Sequence, residues 1–210
     1  MSTLLHIDSS PMGENSISRR LTCEYAHKWR AANPDGKVIY RDLAATHFPV
    51  IDAAWVAANY AQASRTPRQN DLLALSTELT TELLEADEYV IGAPMHNWGP
   101  SAGLKLWTDQ LVHFGRTVLI TPRGMKGNLQ HKRAWFFIAA GRPFHPGSEN
   151  AARNHLQPWL RTFFSNLGVT DMQFMFVDGT ADVQNGKIDQ AVFLAPHVKA
   201  IQQLFAAAAE

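Results

Sequence analysis

Five short runs with strand character punctuate this chain, and long segments with helical or loop character separate them. The runs are Leu4–Ile7, Lys37–Arg41, Glu88–Ile91, Ala134–Ala140 and Asp171–Val177. The fourth reads Ala-Trp-Phe-Phe-Ile-Ala-Ala and is apolar throughout, as a strand buried on both faces must be. Between the runs, Ser16–Ala32, a segment opened by Thr66-Pro67, Ser101–His113, Asn150–Leu167 and much of Ile188–Ala209 carry helical signals. Threonine at the N-cap with proline at N1 is a strong start, and Leu72, Leu73, Leu75, Leu79, Leu83 and Leu84 mark the apolar side that follows. Gly168 stops the fourth helix, and Pro196 must start or kink part of the last. Strands alternating with helices predict an α/β chain with a five-stranded parallel sheet and helices on both faces, forming a single domain over residues 1–210. Two stretches resist this reading. Thr46–Ala63 is apolar without a clean period, and Gly115–Arg133 reads as a Gly-, Pro- and Lys/Arg-containing excursion.

Charge and cysteine content exclude several classes of function. Lysine plus arginine equals aspartate plus glutamate at 19 each, so no strong field draws the chain to nucleic acid or an anionic membrane. No apolar run reaches the ~20 residues that span a bilayer. The N-terminus lacks the basic start and long apolar stretch of a secretory signal. Cys23 is the only cysteine, which rules out an internal disulfide and fits a reducing, cytoplasmic setting. Its place in the first helix reads as a small core residue. Histidine spacing matches no metal motif, and no Gly-x-Ser-x-Gly elbow offers a nucleophile. Trp29, Trp107, Trp135 and Trp159 read as packing residues, and Arg19 and Arg20 as a solvated helix face.

Two loops carry chemistry. The first, Ser9 to Ser18, follows strand one and opens a helix with serines. Free amides and the helix dipole favour an anion there, and the hydroxyls add donors; a plain capping serine reads equally well on the residues alone. The second, Ala93-Pro94-Met95-His96-Asn97-Trp98-Gly99-Pro100, follows strand three. Amide, imidazole and indole groups suit a flat heteroaromatic ligand with polar edges, although a turn built on Pro94, Gly99 and Pro100 is the simpler alternative. Both loops lie at the C-terminal ends of strands one and three. In the strand order 2-1-3-4-5 these strands flank the topological switch point, where open α/β sheets bind ligands. A phosphate site beside a flat-ring site at that crevice describes flavin mononucleotide (FMN).

With these loops and with Arg41-Asp42-Leu43-Ala44, Thr66-Pro67-Arg68-Gln69, Leu104-Lys105, Asp109 and Phe163 to Asp171, the chain resembles the flavodoxin-like FMN-dependent NADH azoreductases, also called NADH:quinone oxidoreductases. The resemblance implies that Ser10, Ser16, Ile17 and Ser18 hold the FMN phosphate. It implies that Met95, His96, Asn97 and Trp98 contact the isoalloxazine ring, with Asn97 hydrogen-bonding near its N5/O4 edge. A third contact falls on Ala140, Gly141, Arg142 and Pro143, where relatives carry Ser-Arg-Gly-Gly. His145 matches a histidine beside the flavin and is the candidate proton donor; with Asn97 it completes the catalytic candidates. The implied reaction passes two electrons from NADH or NADPH to quinones, azo compounds or nitroaromatics by a ping-pong route. Relatives are homodimers, and Phe48 to Tyr60 is the interface candidate. A flavodoxin-type electron carrier and an interaction module that has lost its flavin are the alternatives.

Overall fold

The computed structural model describes residues 2–61 and 64–207. In chain order the elements are β1 (Thr3–Asp8), α1 (Ile17–Ala32), β2 (Lys37–Asp42), α2 (Ala53–Ala61), α3 (Pro67–Leu72), α4 (Ala74–Glu85), β3 (Glu88–Pro94), α5 (Ala102–Leu111), β4 (Val118–Thr121), β5 (Gly124–Gly127), β6 (Arg133–Ala140), α6 (Leu156–Leu167), β7 (Asp171–Asp178), α7 (Thr180–Gln184) and α8 (Gln190–Ala207). Five strands form one parallel sheet in the order β2-β1-β3-β6-β7. That is the expected 2-1-3-4-5, because β4 and β5 stand apart as an antiparallel pair.

Side-chain alternation along the strands builds two cores. Leu5, Ile7, Ile91, Phe136 and Ile138 face α4, α5 and α6 through Leu79, Leu83, Leu104, Trp107, Leu160 and Phe164. Leu4, Val90, Phe137 and Val177 face the other way, onto Ile17, Leu21, Tyr25 and Trp29 of α1 and Leu194 and Ile201 of α8. Adjacent Phe136 and Phe137 are both fully buried on opposite faces, so an unbroken apolar run is what this strand requires.

Several boundaries differ from expectation. The helix opened by Thr66 has its capping box with Gln69, but it breaks at Leu73 into α3 and α4. Leu73 packs with Trp55 and Ala58 of α2, while Leu79 and Leu83 face the sheet, and one straight helix would not serve both. Residues 150–155 hold a single 3₁₀ turn, Ala151–Arg153, and not the start of a helix; the Asn154 side chain then accepts from the Gln157 amide at 3.1 Å at the start of α6. The last helix runs through Pro196 rather than starting there; Ala208 and Ala209 lie outside the described residues, as do Gln62 and Ala63 at the end of the unpatterned stretch. The 115–133 excursion contains the β4–β5 hairpin. Gly127 lets it pack on α6, since a Cβ there would sit 2.1 Å from the Leu167 carbonyl carbon.

Two side-chain expectations are corrected. Cys23 is exposed, not a core residue, because it lies about 200° around α1 from Leu21. Arg19 is not on a solvated face: its guanidinium reaches Asp42 at 2.8 Å and Asp8 at 3.5 Å. Among the described residues, no helix is long and apolar enough to cross a membrane.

Candidate active site

A cleft of about 1000 Å³ opens at the C-terminal ends of β1, β3 and β6. One wall is the loop between β1 and α1. Ser16 caps α1 by accepting from the Arg19 amide at 3.2 Å, and its Oγ lies 3.3 Å from the Ser18 Oγ. Ser10 Oγ accepts from the Met12 amide at 3.3 Å. Ser10, Ser16 and Ser18 are only 2%, 4% and 1% exposed, so bulk water has little access to them. The amides of Ile17 and Ser18 belong to the first helical turn, which has no intrahelical acceptor. Ser9 donates to the Gly92 carbonyl at 2.6 Å, and Ser101 donates to the Ser9 carbonyl at 3.0 Å, tying this wall to β3 and α5.

Beneath the wall lies a buried ionic cluster. Asp8 accepts from Thr22 Oγ1 at 2.7 Å and from the Tyr40 hydroxyl at 3.0 Å. Burial pushes its carboxyl up, but His6, Thr22 and Arg19 together hold it below the usual carboxylate range. Burial and the Asp8 charge push the Tyr40 phenol above its ordinary range.

The second wall is the loop after β3. Met95 donates its amide to the Ala139 carbonyl at 2.8 Å, and His96 and Gly99 exchange two backbone bonds of 3.0 Å. Between them Asn97 and Trp98 have φ of +47° and +67°, the signature of a type I′ turn. Asparagine tolerates this region; tryptophan rarely enters it. The Trp98 carbonyl accepts from the His155 amide at 3.0 Å, which anchors the turn to the start of α6. The indole is 51% exposed.

Of the expected site residues, Ser10, Ser16, Ile17, Ser18, Met95, His96 and Gly141 line the cleft. Asn97 and Trp98 form the exposed turn next to His96. Ala140 is buried in the sheet opposite Asp178, and Arg142 and Pro143 are exposed outside the lining. His145 is also exposed, and its Nδ1 lies 2.7 Å from Asp178 Oδ2. Asp178 accepts from the amides of Phe144 and His145 as well, at 3.0 and 3.1 Å. The sequence reading missed the far wall, formed by α7 and the start of α8 with Thr180, Val183, Gln184, Ile188 and Asp189. Only the Asp178-Gly179 strand end and the α8-capping Asp189, which accepts from the Ala191 amide at 2.9 Å, signalled it.

The donor set fits FMN. Buried hydroxyls, free helix amides and the positive end of the α1 dipole suit a phosphate dianion. No lysine or arginine lines the cleft among the described residues, so the dipole and hydroxyls would do that work.

A family model described as flavodoxin-like fold matches residues 2–202. An FMN-dependent NADH:quinone oxidoreductase 3 of Burkholderia lata is 60% identical over 207 residues, covering 98% of this chain and all of that protein. The chain belongs to this family of flavodoxin-like FMN-dependent NADH:quinone oxidoreductases. Another member, from Acidobacterium capsulatum, is 43% identical across 97% of this chain and 98% of its own length. In fold, this oxidoreductase family member matches the FMN complex of an FMN-dependent NADH-azoreductase from Bacillus anthracis, with a TM-score of 0.83 at 21% identity over the full length of both chains.

Proposed function

We propose that this chain is an FMN-dependent oxidoreductase that passes two electrons from NADH or NADPH to quinones, and to azo or nitroaromatic compounds, by a ping-pong mechanism. One observation carries the reading: the serine-rich start of α1 and residues 94–96 of the loop after β3 face a single cleft at the β1/β3 switch point. FMN, when bound, supplies the redox chemistry by taking up hydride and giving electrons onward. The residues of the chain bind and orient it. Ser10, Ser16 and Ser18, with the amides of Ile17 and Ser18, would hold its phosphate. Met95, His96, Asn97 and Trp98 would meet the ring, with the Asn97 amide at its N5/O4 edge. The strand-β6 exit, Ala140 to Pro143, would lie toward its pyrimidine end. Asn97, His96 and nearby backbone amides would stabilise charge on the reduced ring.

One cleft serving both substrates means that oxidised nicotinamide leaves before the quinone enters. Forming a quinol takes two electrons and two protons; hydride supplies one proton, and His145 is the candidate donor of the other. We place the work in one domain, residues 1–210, in the cytoplasm and in a homodimer. The 48–60 face supports the dimer, since Val50, Val56 and Tyr60 are 83%, 42% and 62% exposed. A flavodoxin-type carrier is not favoured: such carriers are acidic to steer toward partners, whereas this chain has no net charge.

The test is anaerobic. Purified protein with FMN is bleached by NADH and recovers its flavin absorbance on adding a quinone, with no partner protein present. Failure of both NADH and NADPH to bleach the flavin would remove the proposal.

A further inference from the structure

We infer that Asp178 is a positioning residue for the proton-transfer side of the reaction, fixing the tautomer and place of His145. This deepens the reading above and rests on its assignment of His145. Asp178 ends β7 directly opposite Ala140, the last residue of β6; Ala139 and Gly141, which flank Ala140, and Thr180, two residues after Asp178, line the cleft. From that edge one carboxylate oxygen, Oδ2, gathers three donors from the next loop: the amides of Phe144 and His145 and His145 Nδ1 at 2.7 Å. Two adjacent amides and a ring nitrogen converging on one oxygen fix both the backbone and the imidazole of His145. The second oxygen, Oδ1, is buried without a hydrogen-bond partner among the described residues, so the charge of the carboxylate is not divided with another donor there.

The chemistry follows from the acceptor. A carboxylate only accepts, so Nδ1 keeps its proton and Nε2 carries the exchangeable one. Nε2 makes no hydrogen bond among the described residues. When imidazolium gives its Nε2 proton to a quinone oxygen, it becomes the Nδ1–H tautomer that Asp178 already holds. Together with the hydride equivalent from the reduced flavin, this proton completes the two electrons and two protons of a quinol. Solvent then reprotonates Nε2. Orientation of a histidine by a buried carboxylate is the logic by which hydrolase triads fix tautomer and ring direction.

The experiment uses the full chain loaded with FMN and ¹⁵N-histidine labelling. In the native protein, neutral His145 shows its proton on Nδ1. In Asp178→Asn the population moves toward Nε2–H, and stopped-flow reoxidation by a quinone falls at least about tenfold relative to reduction by NADH. His145→Gln gives the same relative loss with Asp178 intact, and the double variant adds no further loss, as residues acting as one unit require. An unmoved tautomer in Asp178→Asn overturns the positioning role. A moved tautomer with an unmoved reoxidation ratio overturns the proton route through His145, while NADH bleaching would leave the oxidoreductase assignment standing.

Discussion

Replacing Ser18 with alanine tests the proposed phosphate end of the cleft. Ser18 is 1% exposed, and among the described residues its Oγ has one hydrogen-bonding neighbour, Ser16 Oγ at 3.3 Å. Ser16 is already committed to capping, accepting from the Arg19 amide at 3.2 Å, so Ser16→Ala would also lose a cap worth about 1 kcal/mol. Ser18→Ala avoids that complication. A hydrogen bond to a charged group contributes roughly 1.5–3 kcal/mol, which corresponds to a rise in the FMN dissociation constant of roughly tenfold to 150-fold. Flavin fluorescence quenching measures it directly. Riboflavin provides the control, since it carries the same ring without phosphate; its affinity should change by less than about threefold. Thermal unfolding gives an independent reading through linkage. FMN at one hundred times its native dissociation constant stabilises by about 2.7 kcal/mol, and by only about 0.4 kcal/mol once binding is a hundredfold weaker. Equal weakening of FMN and riboflavin would refute the placement of phosphate against Ser18, and so would an unmoved FMN affinity.

Asn97→Gly should keep the turn, because glycine adopts the φ of +47° found there, with stability within about 1 kcal/mol of native; flavin reduction by NADH should slow by about tenfold or more in stopped flow, and an unchanged rate would remove the amide from the site. Gly127→Ala drives a methyl to within 2.1 Å of the Leu167 carbonyl carbon and should cost about 1–3 kcal/mol of stability or more, read as a lower urea midpoint. His113 gives a pH dependence. Burial, with Arg65 and Arg116 nearby, pushes its imidazole down to about 4. The folded state therefore resists a proton that the unfolded chain takes up near 6.5, so stability falls as pH drops from about 6.5 toward 4 and gains no further loss from this group below that. The loss amounts to about 3 kcal/mol, and His113→Gln should flatten this part of a denaturation-versus-pH curve.

Legibility in the sequence followed the physics of each segment. The central strands β1, β3 and β6 announced themselves because burial on both faces demands apolar runs, as at Phe136 and Phe137, whereas the edge strands β2 and β7 are only partly buried and showed as shorter or mixed runs. Helix starts were visible where a side chain makes the cap, as Thr66 and Ser16 do. The β4–β5 hairpin was invisible for the opposite reason: Gly124–Gly127 is largely exposed, and its fit depends on a close approach of Gly127 to α6 that no local pattern records. The break at Leu73 depends likewise on α2, which lies outside the sheet. At the site, the anion wall was legible only through its pairing with the loop after β3, because a serine at a helix start is equally well explained as a cap, which Ser16 also is. The wall from α7 and α8 was not, since Thr180 to Asp189 is a polar stretch whose role comes only from facing the cleft.

The turn at Asn97-Trp98 marks the limit of local reading. A two-residue type I′ turn calls for asparagine followed by glycine, and this chain places tryptophan at the second position with φ of +67°. Left-handed backbone costs an ordinary L-residue about 1–2 kcal/mol, and such strain persists only where surroundings over-determine it. They do so here: the His96–Gly99 backbone pair closes the turn, and the His155 amide holds the Trp98 carbonyl at 3.0 Å. Glycine would remove the strain and an indole on the surface gains little from burial, so stability alone does not account for tryptophan at this position. The turn stands next to His96, which lines the cleft, and the proposed contact of the indole with a flat cofactor there would account for tryptophan at this position. On that proposal the strained turn and the serine-lined wall would serve the same occupant, and Trp98→Gly should relieve the strain while weakening FMN binding, as flavin fluorescence quenching would read.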